Sequence, residues 1–480
     1  MKKENMALLC DYYEYTMANG YHLSGIGDKQ VYFDLFFRSV PDMGGFAIAA
    51  GLWSIIEYIK DLHFEPDDIE YLAGKGVFSK EWLDSLKNFK FEGDIYAVPE
   101  GTPVFPNEPI ITVRAKAEQA QIIETFLLIC VNHQSLIATK ANRIIRAAEG
   151  RAVMEFGARR AQGSAAAFLG ARSAYIAGAA GTSNALSDKV FGIPALGTMA
   201  HSWIQIFDDE YTAFKTYAQL YPHGCSLWVD TYNVLKSGVP NAIRVFKEIL
   251  LPQGITDCSI RIDSGDITYL SCKARKMLDN AGLTHCKIVA SNSLDENIIR
   301  DIISQGGAVD SFGVGERLIT AKSDPVFGGV YKLVAVEDKN GTVIPKIKVS
   351  ENVSKITTPH FKRLYRLYEN ATGKAIADYI CVHDESLDGV SELELFDPQY
   401  SWKKKTVTDF TARELLKPIF KNGIQVYESP HVEEIRSYCA KEIDNLWDEV
   451  KRFENPHNYY VDLSTKLWCI KQDLLAKNGR

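Results

Sequence analysis

The chain contains no C-x-x-C pair, and its nine cysteines are scattered and odd in number. That pattern argues against a zinc ribbon or a disulfide scaffold and fits a reduced, cytoplasmic compartment. Basic residues are in deficit: 54 Lys and Arg against 61 Asp and Glu leave a net charge of −7. A nucleic-acid binder normally carries a basic excess or stripe. The one basic cluster, Lys403–Lys404–Lys405, reads as a solvated loop, so no DNA or RNA partner is expected. The N-terminal "MKKENMALLCDYYEYTMANGY" lacks an apolar core of about 7–15 residues before a cleavage site. The apolar stretch "AAAFLGARSAYIAGAAG" is broken by Arg172 and falls short of the roughly 20 residues of a membrane span. The expectation is a soluble protein with no membrane partner. The Walker sequence G-x-x-x-x-G-K-[ST] is absent, so any nucleotide is held another way. Internal repeats and low-complexity segments are absent too.

What remains is an ordinary globular composition, 46% hydrophobic and 24% charged over 480 residues. That length accommodates two or three domains of roughly 150 residues. Residues 1–130 mix a helical pattern ("GLWSIIEYIKDL") with short strands between turn residues ("EGDIYAVPEGTPVFPNEPIITVRA"). They predict a smaller N-terminal α+β domain, completed by C-terminal segments. Residues 336–480 form a hairpin and helix region. Its hairpin signals are "VAVEDKNGTVIP", "YRLYENATGKAIADYI" and "PIFKNGIQVYES", two of them with Asn-Gly between β-rich arms. Between them, residues 131–335 alternate strand-length apolar runs with helical stretches, the pattern of a parallel α/β sheet. The runs are "AVMEF", "SAYIAGA", "IPALGTMA", "SLWV", "CSIRI", "KIVA" and "VDSFG". They suit a barrel or an open doubly wound sheet.

Ligands of parallel α/β folds bind at the carboxyl ends of the strands, where loops and helix N-termini converge. The first run ends in Phe156, Gly157, Arg159 and Arg160, and the second leads to Gly181, Thr182, Ser183 and Asn184. Thr198 and His201 follow, then Asp230 and Thr231. "CSIRI" carries Arg261 and leads to Asp263, Ser264, Gly265 and Asp266. The last two runs end in Ser291–Asn292–Ser293 and Gly313–Val314–Gly315. Asp266 and Ser293 also fit as helix N-caps. His201, in "GTMAHSWIQIF", would alone read as a core histidine. Arg159, Arg160 and Arg261 are different, because strand ends do not need such cations to fold. Arginines, a histidine and carboxylates on one face describe a site for an anionic substrate. "FGVGERL" and "ASNSLDE" add unobstructed backbone N–H groups that suit phosphate.

In order and spacing, "LLCDYYEYTMANGY", "FDLFFRSVP", "FAIAAGL", "EFGARRAQG", "GTSN", "GTMAHS", "RIDSGD" and "FGVGERLITAKSDPVFGGVYKL" resemble the nicotinate phosphoribosyltransferase family. The resemblance implies an irregular parallel α/β barrel of the type II phosphoribosyltransferase kind, and a homodimer with shared active sites. It implies an ATP-dependent enzyme of NAD biosynthesis. Such an enzyme converts nicotinate, phosphoribosyl pyrophosphate and ATP, with Mg2+, to nicotinate mononucleotide, pyrophosphate, ADP and phosphate. By the same resemblance His201 accepts the γ-phosphate of ATP, and Asp263 orients the ribose or the metal or stabilises the transition state. The pyridine ring is expected between Phe156 and Tyr13 of the partner subunit. Arg159, Thr198 and Arg261 receive the carboxylate or nearby phosphates. Ser291, Asn292, Gly313 and Gly315 line the phosphate and ribose subsite, and Arg38, Lys322 and Lys332 are pyrophosphate contacts. The metal ligands stay open.

Two features bear on the assignment. Many relatives have threonine after "GVG"; here Glu316 follows, which Arg317 or a metal would have to offset. The alternative family, nicotinamide phosphoribosyltransferase, has an aspartate at the position matched to Ser183. Such a carboxylate would repel nicotinate by several kcal/mol in a sheltered site, so Ser183 favours nicotinate. A non-catalytic barrel is the other alternative, and the retained His201, Arg261 and Asp263 argue against it.

Overall fold

Strands of a parallel sheet are covered on both faces, so they read as nearly continuous apolar runs. In the computed structural model, which describes residues 5–478, five of the seven runs are such strands. They are β1 (Ala152–Glu155), β2 (Cys225–Trp228), β3 (Cys258–Ile262), β4 (Lys287–Ala290) and β5 (Ser311–Val314). The sheet is parallel throughout, in the order β1-β5-β4-β3-β2. Leu227, Ile260, Ile288, Phe312 and Val314 are fully buried in its core. The sheet belongs to a unit of residues 137–325.

The other two runs are not strands. "SAYIAGA" falls mostly within the helix Ser164–Ile176, whose alanine-rich composition favours helix over strand. "IPALGTMA" supplies a single bridge, Ala195 to Thr182, and Thr182 bridges in turn to Glu155. Its Pro194 and Gly197 disfavour a longer ladder. Asp266 caps the helix Ile267–Asn280 by accepting from the Tyr269 N–H, and Ile267, Ser271, Ala274 and Leu278 form its buried stripe. Ser293 is not a cap. The chain turns through left-handed Asn292 and Ser293 (φ 92° and 46°). Asp295 then caps Glu296–Ser304, accepting from the N–H groups of Asn297 and Ile298.

The second unit combines residues up to 136 with those from 326 onward. Its seven-stranded sheet is antiparallel and draws on both ends of the chain. The order is Val343–Pro345, Val330–Glu337, Gln30–Phe36, Ile111–Lys116, Asp94–Ala97, Lys417–Lys421, Ile424–Gln425. All three expected hairpins are present. In the hairpin Lys362–Glu369 and Ala375–Val382, Arg366 lies directly opposite Asp378. All nine cysteines are free. The helical stretch Ala117–Ala147 is long and apolar enough to cross a membrane by length and composition, yet most of its apolar window is buried inside the protein.

Candidate active site

The strand ends of the parallel sheet carry one connected set of side chains, and Arg261 is at its centre. Arg261 is the fourth residue of β3 and is 9% exposed. Its guanidinium carbon lies 4.3 Å from the Trp228 ring centroid and 5.0 Å from that of Phe156. Its Nε donates to Ser291 Oγ at 2.9 Å, and the Ser291 hydroxyl donates to Asp263 Oδ1. Arg261 Nη2 stands 3.6 Å from the same carboxylate oxygen. Burial pushes the guanidinium below the usual arginine value, and Asp263 and Asp230 partly offset it.

Trp228, the last residue of β2, joins this group to the histidine. Its indole N–H donates to Thr198 Oγ1 at 2.8 Å, and its ring meets that of His201 edge-on at 4.4 Å. His201 opens the short helix His201–Gln205, and its Nδ1 is 3.0 Å from Thr231 Oγ1. Asp230 ties the neighbouring strand ends together, because its Oδ2 accepts from the Asp263 N–H at 2.9 Å and the Ser264 hydroxyl at 2.8 Å. Its Oδ1 is buried without a hydrogen-bond partner. Gly313 permits the close packing of Phe156, since a Cβ there would lie 2.7 Å from the Phe156 ring.

Phe156, Thr198, His201, Arg261, Asp263, Ser291 and Gly313 therefore meet. Arg159, Ser183 and Asn292 are exposed around them, and the charge of Arg159 contributes to the lowered Arg261. Gly315 starts the short helix Glu316–Ile319. The offset for Glu316 differs from the expected one. Lys322 donates to Glu316 at 2.8 Å and Arg160 stands 3.9 Å away, whereas Arg317 pairs with Asp295. Lys322 holds the Glu316 carboxyl below its usual range, so Lys322 is engaged rather than free for phosphate.

The remaining candidates lie in the other unit, Tyr13 and Lys332 near Glu124 and Arg38 near Lys332. Tyr13 is 45% exposed; its phenol is raised by burial and by the nearby charge of Glu124. Lys332 is lowered by burial, with Glu124 opposing and Lys348 and Arg38 adding like charge. Arg38 Nε donates to Ser354 O at 3.2 Å. Trp228, Glu155 and Glu124 carry no chemical signature in the sequence. Asp230 and Thr231 are visible only as polar residues at a strand end.

These features define an α/β protein whose parallel-sheet strand ends bring together an imidazole, a buried guanidinium and carboxylates. Family models of the nicotinate phosphoribosyltransferase N-terminal domain, family and C-terminal domain match residues 8–132, 151–367 and 361–471. The chain is 43% identical to the Bacillus subtilis nicotinate phosphoribosyltransferase, covering 98% of this chain and 95% of that protein. It is 39% identical to a Mycobacterium tuberculosis nicotinate phosphoribosyltransferase, over 96% and 92% of the two chains. The crystal structure of human nicotinic acid phosphoribosyltransferase aligns with a TM-score of 0.83 at 26% identity, over 97% and 99%. The chain belongs to the nicotinate phosphoribosyltransferase family.

Proposed function

We propose that this protein joins nicotinate to phosphoribosyl pyrophosphate, giving nicotinate mononucleotide and pyrophosphate, and couples the reaction to ATP hydrolysis through a phosphohistidine at His201. The observation that carries this reading is the unbroken set of contacts from Thr198 through Trp228 and His201 to Arg261, Ser291 and Asp263. A proton on Nδ1 donated to Thr231 Oγ1 leaves the lone pair of His201 on Nε2. That nitrogen attacks the γ-phosphorus, the bond to the ADP oxygen breaks, and water later cleaves the phosphoramidate to phosphate and free imidazole.

In the glycosyl step the pyridine nitrogen bonds to ribose C1 as pyrophosphate departs. Asp263 stabilises the positive charge that develops on the ribose. Arg261 covers one face of Phe156; the other face takes the pyridine ring, with Tyr13 of the partner subunit completing the stack. Arg159, Thr198 and Arg261 receive the carboxylate or nearby phosphates, and Ser183 donates to the carboxylate. Ser291, Asn292, Gly313 and Gly315 hold phosphate and ribose, with Arg38 and Lys332 of the partner subunit on the pyrophosphate. Lys322 joins them once released from Glu316.

The oxygen donors suit Mg2+, which takes one or two carboxylates together with substrate phosphates and water. Asp263 and the unpartnered Oδ1 of Asp230 would hold it, neutralising phosphate charge. No cluster of three or more His, Cys, Asp or Glu that could hold a metal occurs among the described residues, in keeping with a metal that arrives with the substrates. The Ala195–Thr182–Glu155 bridges extend the sheet beyond β1. The Trp228–Thr198 bond links that extension to β2 at the opposite edge, which supports an irregular barrel. A cytoplasmic homodimer completes the reading.

With γ-labelled ATP and Mg2+, the protein is expected to acquire an acid-labile, alkali-stable phosphate. His201→Ala should lose the label and the stimulation by ATP while keeping slow uncoupled synthesis. Label retained in His201→Ala would overturn the phosphohistidine. Equal turnover of nicotinate and nicotinamide would overturn the base assignment.

A further inference from the structure

We propose that Glu155 is a positioning residue for base selectivity: its side chain clamps the loop bearing Ser183 to the turn bearing Phe156 and Arg159. The proposal rests on the functional reading above.

Glu155 ends β1 and is fully buried. Its backbone N–H donates to Gly181 O and its carbonyl accepts from Ser183 N–H, both at 2.9 Å. Any residue could make those two bonds. The side chain adds what an apolar residue could not. One carboxylate oxygen accepts from Thr182 Oγ1 at 2.6 Å, and the other accepts from the Gly157 N–H. Thr182 Oγ1 accepts in turn from the Asn184 N–H at 3.1 Å. One carboxylate therefore fixes Gly157, Thr182 and, through Thr182, Asn184.

The fit leaves no slack. A Cβ on Gly157 would lie 2.8 Å from Glu155 Oε1, and one on Gly181 would lie 2.4 Å from Pro194 O. Burial of the carboxyl raises its pKa, while the Thr182 and Gly157 donors oppose the rise. A strand end needs no such group, and valine would bury there without that cost. What the carboxyl supplies is registration. Phe156 stacks on the pyridine ring, and Arg159 and Ser183 meet its carboxylate, so their spacing decides whether an anionic or a neutral substituent fits. A misplacement of about 1 Å at such contacts can cost on the order of a hundredfold.

The test compares kcat/KM for nicotinate and nicotinamide in the wild type, Glu155→Gln, Thr182→Val, Thr182→Ser and the Glu155→Gln/Thr182→Val double variant. Glutamine offers one acceptor where two donors converge, and valine removes the hydroxyl at equal volume. Each should lower the nicotinate-to-nicotinamide ratio about tenfold, chiefly through KM for nicotinate, leaving KM for phosphoribosyl pyrophosphate within about twofold. Thr182→Ser should restore the ratio. The double variant should be no worse than the worse single one, because both break one clamp. A purely structural role would lower activity on both bases together and leave the ratio in place. A fall of less than about fivefold in both single variants overturns the clamp; should Glu155→Gln fail to fold, Thr182→Val decides alone. A wild type without preference for nicotinate overturns the functional reading and the clamp with it. A selective wild type with unchanged variants overturns the clamp alone.

Discussion

Arg366 and Arg261 belong to different units, yet each guanidinium carbon lies within about 6 Å of two aromatic ring centroids. Arg366 stands 5.4 Å from Phe105 and 5.9 Å from Tyr459, and Nε and Nη2 donate to the two Asp378 oxygens at 2.8 and 2.6 Å. Burial opposes its charge, but Asp378 holds the guanidinium well above the usual arginine value. Arg261 stands near Trp228 and Phe156, with a hydroxyl on Nε and a carboxylate 3.6 Å from Nη2; it is driven down by burial. The first guanidinium is gripped bidentately by one carboxylate; its Nη2 also donates to Pro103 O at 2.8 Å, and its Nη1 is buried without a hydrogen-bond partner, 3.9 Å from Glu442 Oε2. Among the described residues the second has no bidentate carboxylate: a serine hydroxyl meets its Nε and a carboxylate oxygen stands 3.6 Å from its Nη2. The counter-ion makes the difference, and the expectation is that the first arginine serves stability and the second recognition.

The comparison can be broken most forcefully at Arg366. Arg366→Met leaves Asp378 buried without its partner and should cost about 3–5 kcal/mol of stability. Urea denaturation will show it, and KM for nicotinate should be unchanged under conditions where the variant is folded. Arg261→Lys keeps the charge but loses the planar fork. It should lower kcat/KM for nicotinate by roughly ten- to a hundredfold, about 1.5–3 kcal/mol, with only a small change in Tm. If instead Arg261→Lys lowers stability as much as Arg366→Met while the folded protein keeps its kcat/KM for nicotinate, the two arginines do the same job.

A smaller effect sharpens the contrast from the acidic side. Glu14 is as buried as Asp378 but has donors in place of a cation: Cys10 Sγ at 2.8 Å and Thr125 Oγ1 at 2.5 Å. Burial pushes its carboxyl from 4.5 up to about 7. A folded-state value above the unfolded one means that its contribution is present below about pH 4.5 and lost as pH rises to 7. The expected slope is roughly 1 kcal/mol per pH unit between about pH 5 and 7. Glu14→Gln should remove that slope in urea melts at pH 5, 6 and 7. Parallel profiles for wild type and variant would show that Glu14 titrates as an ordinary carboxyl.

Much of this was legible in the sequence for identifiable reasons. Runs such as "CSIRI" and "KIVA" announce buried strands because continuous apolar character is bounded by turn residues. His201, Arg261, Asp263 and Ser291 stand out as polar groups at strand ends, and those groups do meet. "SAYIAGA" misled because small apolar residues suit a helix as well as a buried strand. Trp228 could not be found, since a tryptophan inside an apolar run becomes a site residue only when His201 folds against it, and Thr231 showed only as a polar residue at a strand end, with no role. The Glu316–Lys322 pair was hidden for a related reason. A short helix brings together charges six residues apart, while adjacent Arg317 turns toward Asp295.

The interleaved sheet has a consequence for how the chain is made. Phe33 pairs with Leu333, and Asp94–Ala97 waits for Lys417–Lys421. At about 5–20 residues per second, a ribosome takes roughly 15–60 s to deliver a partner about 300 residues downstream. Through that interval the strands Gln30–Phe36, Ile111–Lys116 and Asp94–Ala97 form a three-stranded ribbon whose two outer edges are bare. Bare edges are templates for pairing with other chains. While residues 137–325 emerge, those two edges are where the unfinished sheet is most open to wrong pairing.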